Sequence, residues 1–75
     1  MHRFLVVIEK GTGSYSSYVP DLPGCVATGA TREEVEENMR GAVEMHVRGL
    51  IEKGLPIPEP SSFAEFVVIE EQTGS

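Results

Sequence analysis

This chain of 75 residues has one cysteine, no tryptophan, one aspartate and only six basic residues. Cys25 has no second cysteine to pair with, and no cluster of Cys and His has the spacing of a zinc site. The six basic residues are scattered among 12 acidic ones, giving a net charge of −6. Because binding to DNA or RNA requires a local excess of Lys and Arg, direct binding to either is not expected.

Long apolar runs are also missing. The apolar stretch near the N-terminus is too short for a signal peptide or a membrane span, so we expect a cytoplasmic protein with no membrane contact, metal or other cofactor. A chain this short buries only about 60% of its unfolded surface, and one such core supplies ~3–5 kcal/mol. Association with another chain is the remaining source of stability. The sequence therefore predicts a single domain over residues 1–71, with a polar tail at residues 72–75, that forms a homo-oligomer.

The stretch at residues 20–31, PDLPGCVATGAT, is the most distinctive local pattern. Its two prolines fix backbone φ angles and Gly24 can adopt a positive φ, which together predict a tight turn. Residues 25–28 then form a short strand. Thr31 and Glu34 have the T-x-x-E spacing of a capping box, which predicts that a helix begins here.

Apolar periodicity predicts the remaining elements. Residues 4–8 and 66–69 are continuous apolar runs typical of buried strands, and residues 14–19 alternate with period 2. Residues 31–53 have one apolar side and one side with Glu–Arg pairs at i,i+4, which predicts a helix of about 34 Å. Two apolar strands joined through a helix indicate parallel pairing by a right-handed crossover. We therefore predict an α+β fold with the order β-β-β-α-β and a mixed four-stranded sheet ordered 3-2-1-4.

Three spaced motifs connect the turn, the helix and a proline-rich return. They are Asp21-Leu22-Pro23-Gly24-Cys25, Gly29-x-Thr31-x-Glu33-Glu34 followed by Asn38 and Ala42, and Gly54-x-x-Ile57-Pro58-x-Pro60. Together they resemble the N-terminal domain of HicB-type antitoxins, over roughly residues 2–70. The resemblance implies a partial RNase H-like fold and a non-enzymatic role. It also implies a partner, because in the family this domain binds and blocks HicA, a small basic double-stranded-RNA-binding-like toxin that cleaves messenger RNA with a histidine.

Typical HicB antitoxins carry a second, C-terminal DNA-binding domain of the helix-turn-helix or ribbon-helix-helix type. This chain stops just after its last predicted strand, so we expect no C-terminal DNA-binding domain and no operator binding by this chain alone. In the order 3-2-1-4 the last strand is an edge whose apolar side chains are exposed, which soluble proteins usually cover or pair. We expect self-association, as a dimer or tetramer, or toxin binding along this edge. Its residues are Phe66, Val67, Val68 and Ile69.

Candidate partner-binding residues follow from side-chain type and position. Tyr15 and Tyr18 lie on the strand expected to have a solvated face, and aromatic side chains with a polar tip are enriched at interfaces. Asp21 either bonds the backbone of its own turn or recognises a partner. Acidic residues on the polar side of the helix either form an ordinary solvated surface or steer a basic partner. These acidic candidates are Glu33, Glu37 and Glu44.

Other interpretations remain open. Cys25 is expected to be a buried small hydrophobe, and His46 a core or interface histidine with no catalytic or metal-binding role. An orphan HicB-like module, homo-oligomeric or bound to another protein, is the alternative to an antitoxin. A metal-dependent nuclease requires several carboxylates around two metal ions. For that role the sequence offers Asp21 in a turn and Glu9 and Glu70 at strand ends, with nothing to place a third or fourth carboxylate beside the two glutamates.

Overall fold

A computed structural model describes residues 2–71; Met1 and the predicted polar tail at residues 72–75 lie outside this range. The elements are β1 (Val7–Lys10), β2 (Tyr15–Tyr18), β3 (Val26–Gly29) and α1 (Arg32–Glu52). The strands form a sheet in the order β1-β2-β3, and both pairings are antiparallel. The α+β class and the order of three strands followed by a helix are confirmed.

The sheet has one face against the helix and one toward solvent. In β2, Ser17 is buried and its Oγ donates to the carbonyl of Ala27 at 3.2 Å. The next residue, Tyr18, is exposed. Because successive side chains of a strand point to opposite faces, this alternation is the one that the period-2 pattern predicts.

The turn at residues 20–24 brings Leu22 into the core. Gly24 has a φ of 82°, as the motif predicts, and backbone hydrogen bonds close the turn. The N–H of Leu22 donates to the carbonyl of Val19 at 3.1 Å, and the N–H of Cys25 donates to the carbonyl of Leu22 at 3.0 Å. Leu22 is fully buried although it lies in a turn. The buried apolar core consists of Val19, Leu22, Cys25, Val35 and Met39.

Helix α1 begins and ends close to the predicted residues. Thr31 is the N-cap, and its Oγ1 accepts from the N–H of Glu34 at 3.0 Å. The Glu34 carboxylate accepts in turn from the N–H of Ala30 at 2.8 Å, one residue before the position usual in a capping box. At the other end Gly54 has a φ of 69°, and its N–H donates to the carbonyl of Ile51 at 3.0 Å.

Helix α1 is longer than the sheet that it covers. Its 21 residues span about 31 Å, whereas a four-residue strand spans about 13 Å. Val35 and Met39 near its start are therefore buried, while Val43 and His46 further along are only half-buried. The helix packs on β3 and less extensively on β2, and leaves β1 at the open edge. Within residues 2–71 no helix is both long and apolar enough to cross a membrane.

The ion pairing along α1 differs from the predicted Glu–Arg ladder. Among the described residues the pair that forms is Arg32 with Glu36, 3.2 Å apart between Nε and Oε2. Glu36 is thus paired with Arg32, one turn earlier in the helix, rather than with Arg40, one turn later. These side chains are solvent-exposed, where an ion pair contributes little and does not hold two long side chains in one arrangement.

The predicted fourth strand is not part of the sheet. Residues 66–69 have no strand partner in the described chain, and their side chains are 75% (Val67) to 103% (Phe66) exposed. The sheet therefore has three strands here, and the order 3-2-1-4 is not formed. Ordering a strand costs about 1–2 kcal/mol per residue in backbone entropy. The β1 edge, which α1 leaves open, offers burial to only one face of such a strand, so little compensates this cost.

The shape of the chain reflects this exposed segment. The radius of gyration is 16.1 Å, against about 11 Å for a compact domain of this length. The principal extents are 61 × 28 × 19 Å. This elongation has two causes: helix α1 extends beyond the sheet, and an apolar segment lies outside the core.

Two glycines provide a matched test of how closely α1 packs on β3. A Cβ at Gly29 would lie 2.6 Å from the backbone N of Val35, so Gly29→Ala should lower the free energy of unfolding by about 1–3 kcal/mol. A Cβ at Gly41 would meet nothing within 4 Å, so Gly41→Ala should raise it by about 0.5–1 kcal/mol. Urea unfolding followed by circular dichroism measures both. Effects of the same sign and size would contradict the close approach at Gly29.

Candidate protein-binding surfaces

The solvent face of the sheet carries a short apolar row with one residue from each strand. Val7 of β1, Tyr18 of β2 and Val26 of β3 are direct neighbours in the register, and we call these three residues the outer row. Tyr18 is 42% and Val26 64% exposed. Glu9 lies on the same face, two positions further along β1. An exposed aromatic ring with a polar tip beside aliphatic side chains is typical of interface hot spots.

Tyr15 lies on the opposite face from Tyr18. It is half-buried on the helix side and is paired in the register with Lys10 and Gly29. Residues three positions apart in a strand point to opposite faces. A partner on one face of the sheet therefore reaches one of the two tyrosines, and Tyr18 is the more accessible.

The three acidic candidates lie on the side of α1 that points away from the sheet. Glu33, Glu37 and Glu44 are exposed, and spacings of four and seven residues place them along one stripe. We call them the acidic stripe. Val35 and Met39 are buried on the opposite side of the helix. Because the sheet separates the acidic stripe from the outer row, the predicted partner-binding residues do not form one patch.

Asp21 anchors the chain just after the proline-rich return. Its Oδ1 accepts from the hydroxyls of Ser61 at 2.9 Å and Ser62 at 3.1 Å, and its Oδ2 accepts from their backbone N–H groups at 3.2 and 3.3 Å. These contacts connect residues 40 positions apart, so the motif around Asp21 does not reveal them. The available signal is the pair of consecutive serines after Pro60, which offers four donors. A role for Asp21 toward a partner stays a prediction.

The same contacts set the charge of Asp21. Partial desolvation acts to raise the pKa of its carboxyl group, while the side-chain and backbone hydrogen bonds from Ser61 and Ser62 act to lower it. The net pKa is below the ordinary value of 3.8, because the hydrogen bonds favour the charged form. Asp21 is therefore a carboxylate at neutral pH, and its charge strengthens the four hydrogen bonds.

Cys25 and His46 occupy positions in and beside the core. Cys25 is buried, its Sγ lies 4.0 Å from Sδ of Met39, and burial raises the pKa of its thiol. A protonated, inaccessible thiol is not a nucleophile, so Cys25 is the buried hydrophobe that the sequence predicts. His46 is half-buried and lines a shallow depression with Cys25 and Val26.

The carboxylates considered for a nuclease do not come together. Within residues 2–71 no group of three or more His, Cys, Asp or Glu side chains could hold a metal ion. Glu9 and Glu70 are exposed, and Asp21 is engaged by the two serines. The described chain therefore offers no geometry for two-metal cleavage.

An apolar groove opens between β1 and α1. Its volume is about 450 Å³, and Phe4, Val6, Met39 and Val43 contribute its apolar lining. We call it the edge groove. Charged side chains line it on the helix, namely Glu36, Arg40 and Glu44.

An exposed, mostly apolar stretch lies close to the C-terminal end of the described residues. We call residues 63–69 the C-terminal segment. Phe63 and Val68 are 90% and 93% exposed, and the start of the segment lies beside Phe4 and Leu5, just before β1. The structure thus places an unpaired apolar segment and a partly open apolar groove in one chain.

Comparisons with known proteins identify relatives of this chain. Residues 4–75 match a family described as the HicB-like antitoxin of bacterial toxin-antitoxin systems. Among solved structures, a chain of a HicA3 and HicB3 toxin-antitoxin complex is similar, with a TM-score of 0.62 and 27% identity. The likeness covers 79% of this chain and 72% of that chain.

Several relatives are similar in sequence. A UPF0150 protein of Archaeoglobus fulgidus is 33% identical over 73 residues, which cover 96% of this chain and 99% of that protein. A UPF0150 protein of Synechocystis is 33% identical over 60 residues, 79% of this chain and 76% of that one. A 14.9 kDa protein from the rep-hol intergenic region of Haemophilus phage HP1 is 31% identical over 62 residues. Those residues are 83% of this chain but 47% of the phage protein, so this chain spans about half its length.

Asp21→Asn tests the anchor at the proline-rich return. The asparagine side chain keeps one acceptor oxygen, and its NH₂ group cannot accept a hydrogen bond. The backbone N–H groups of Ser61 and Ser62 should therefore exchange with solvent several-fold faster in this variant, as measured by NMR. Glu59→Gln, which neutralises an exposed carboxylate of the same return outside this network, is the control and should leave the exchange unchanged.

The anchor should also depend on pH. Because the folded-state pKa of Asp21 is lowered, its contribution is fully present above the unfolded-state pKa and is lost as the pH falls through the folded-state pKa. Protection of Ser61 and Ser62, corrected for intrinsic exchange, should disappear in the wild type only at acidic pH. Asp21→Asn should remove this pH dependence. Equal protection in the variant and the wild type at neutral pH would contradict the anchor.

Proposed function

Because this chain belongs to the HicB-like antitoxin family, we propose that it binds and neutralises a small basic HicA-type toxin that cleaves messenger RNA. The family match over residues 4–75 carries this conclusion. The similarity to a chain of a HicA3 and HicB3 toxin-antitoxin complex supports it. In this role the protein acts in the cytoplasm by covering the toxin and catalyses no reaction of its own.

The negative charge of the chain affects the rate at which a basic partner associates more than it affects the affinity of the complex. The chain carries a net charge of −6, which attracts a basic partner and raises the association rate. Exposed charges are screened beyond about 8 Å at physiological ionic strength. Since the two smaller extents of the chain are 28 and 19 Å, the acidic stripe acts on approach from the helix side. It adds little to a contact on the far face of the sheet.

We assign the close contact with the toxin to the outer row. Tyr18 and Val26 are exposed there on neighbouring strands, and Glu9 supplies an acidic group on the same face. Burial of a tyrosine ring whose hydroxyl finds a partner contributes strongly to affinity. The acidic stripe instead offers exposed charges, and ion pairs at exposed positions contribute little. The outer row is therefore the better candidate for affinity.

An orphan module is the second candidate function. The exposed C-terminal segment favours self-association, which needs no toxin. The two candidates differ in one observable: whether a small basic toxin encoded beside the gene exists and binds this chain.

Co-expression with a neighbouring HicA-type toxin tests the antitoxin function. The wild-type chain should restore growth and co-purify with the toxin. Tyr18→Ala should weaken binding about 10–100-fold, mainly through faster dissociation, because it removes the aromatic anchor of the outer row. Ile51→Ala removes an apolar side chain that is 62% exposed on α1, and as the control it should leave binding unchanged. A wild-type chain that neither restores growth nor co-purifies overturns the antitoxin function in favour of the orphan module.

Replacing all three glutamates of the acidic stripe by glutamine tests the steering role. The association rate should fall at low salt and change little at about 0.15 M ionic strength, where the charges are screened. The dissociation rate should stay the same. Biolayer interferometry with immobilised toxin measures both rates, and a main effect on dissociation would move the contact from the outer row to the helix.

A further inference from the structure

We propose that two copies of this chain exchange their C-terminal segments, each segment lying along the β1 edge and in the edge groove of the other copy. Among the described residues of a single chain, neither the segment nor the groove has a partner, and each copy supplies one of each. The exchange uses the open backbone edge of β1 and the edge groove, whereas Tyr18 and Val26 lie on the other face of the sheet in β2 and β3, so it stands or falls independently of toxin binding.

The C-terminal segment has a residue composition typical of a β-strand, but its side chains are exposed to solvent. Phe66 is fully exposed and its neighbours Val67, Val68 and Ile69 are at least 75% exposed. Aromatic and β-branched residues are those most enriched in strands. A contiguous exposed run of them marks an interaction site or an aggregation hazard in a soluble protein. The segment therefore needs a partner surface.

The β1 edge offers the two kinds of contact that such a segment lacks, namely backbone hydrogen bonds and an apolar surface. Within residues 2–71, β1 pairs with β2 on one side only, so its other side presents backbone N–H and C=O groups to an added strand. The edge groove lies along the same strand and supplies apolar surface from Val6 and Val43. Addition of a strand to an exposed edge gains main-chain hydrogen bonds, while pockets receive its alternate side chains. Phe66 and Val68, two positions apart, share the face that would enter the groove.

The anchor at Asp21 fixes where the segment starts. Asp21 holds Ser61 and Ser62, and the chain then passes beside Phe4 and Leu5, just before β1. Seven extended residues reach about 23 Å, comparable to the 28 Å middle extent of the chain. The segment therefore begins next to the edge of its own sheet and is long enough to lie along the same edge of an adjacent copy.

The segment is expected to pair with the β1 edge of a second copy rather than with the β1 edge of its own chain. The two arrangements differ in how the outer face of the segment is covered. In the single chain the segment stays off its own edge, which would cover one face only. In a two-fold pair each segment places one face in the groove of the other copy, and the body of its own copy can lie against the opposite face, as in an isologous exchange. The four phenylalanines of two segments bury roughly 600–1,000 Å² on their own. With the surfaces that they cover, this reaches the scale of about 1,200–2,000 Å² typical of stable interfaces.

Sedimentation velocity on the purified chain gives the first test. The wild type should sediment as a dimer at micromolar concentration. The double variant Phe66→Glu with Val68→Glu should sediment as a monomer, with dimerisation weakened roughly 100-fold or more, because two charges would enter an apolar groove. Ile51→Glu places a charge at an apolar residue that is exposed on α1, and as the control it should remain dimeric. Since Phe66 and Val68 are exposed in the single chain, the double variant should keep its helical circular dichroism.

An isotope-filtered NOE experiment on an equal mixture of ¹³C-labelled and unlabelled wild-type chain gives the second test. Exchange predicts contacts between copies from Phe66 and Val68 to Val6 and Val43. A monomer with these contacts inside one copy overturns the exchange in favour of a four-stranded sheet within each chain. A dimer that survives the double substitution, or whose contacts between copies involve Tyr18 and Val26, overturns it as well.

The two proposals fail separately. Tyr18→Ala should leave the dimer intact, and the double variant should still restore growth when co-expressed with the toxin. A monomeric wild type whose segment becomes protected only when toxin is added would overturn the exchange and assign the segment to the toxin.

Discussion

The burial of Leu22 beneath α1 is the contact on which the rest of this structure depends. Leu22 lies in a turn closed by backbone hydrogen bonds from residues 19–25, and Met39 packs against it from the helix. Asn38 donates to the carbonyl of Thr28 at 2.8 Å and fixes the helix over β3. With only five buried apolar side chains among the described residues, each supplies a large share of a small stability. The same turn carries Asp21, so the core and the anchor of the C-terminal segment depend on one loop.

The features of the fold that could be predicted are those that depend on residues close together in the sequence. Thr31 and Glu34 cap the helix, and Gly24 adopts a positive φ, because each acts through neighbours within a few residues. Features that depend on distant residues were not predictable in this way. Leu22 has the sequence context of an exposed turn, and its burial is decided by where α1 packs. The serines that hold Asp21 are 40 positions away, beyond any local pattern.

The candidate site shows the same division. Residue types suited to protein binding, such as Tyr18 and the glutamates of the acidic stripe, are recognisable from sequence as exposed and chemically apt. Which of them share a surface is decided by the packing of one helix on one face of the sheet, and that packing puts the outer row and the acidic stripe on opposite sides. The apolar run at residues 66–69 likewise indicates a strand without indicating whose edge it joins. A single sequence reports strand propensity, whereas pairing depends on which edges are left open and how much burial they offer.

The placement of these surfaces determines which associations are compatible. Segment exchange would occupy the β1 edge and the edge groove, and it leaves Tyr18 and Val26 free, so a dimer can carry one toxin on each outer row. Two chains bring together twice the charge of −6, but most of the acidic stripe points away from the sheet and is screened beyond about 8 Å. Glu44 belongs to the acidic stripe and also lines the edge groove. It is therefore shared by the surface proposed to attract the toxin and the surface proposed to bind the exchanged segment. A change in charge there would act on both the exchange of segments and the approach of a basic partner, whereas a change at Tyr18 would act on the toxin alone.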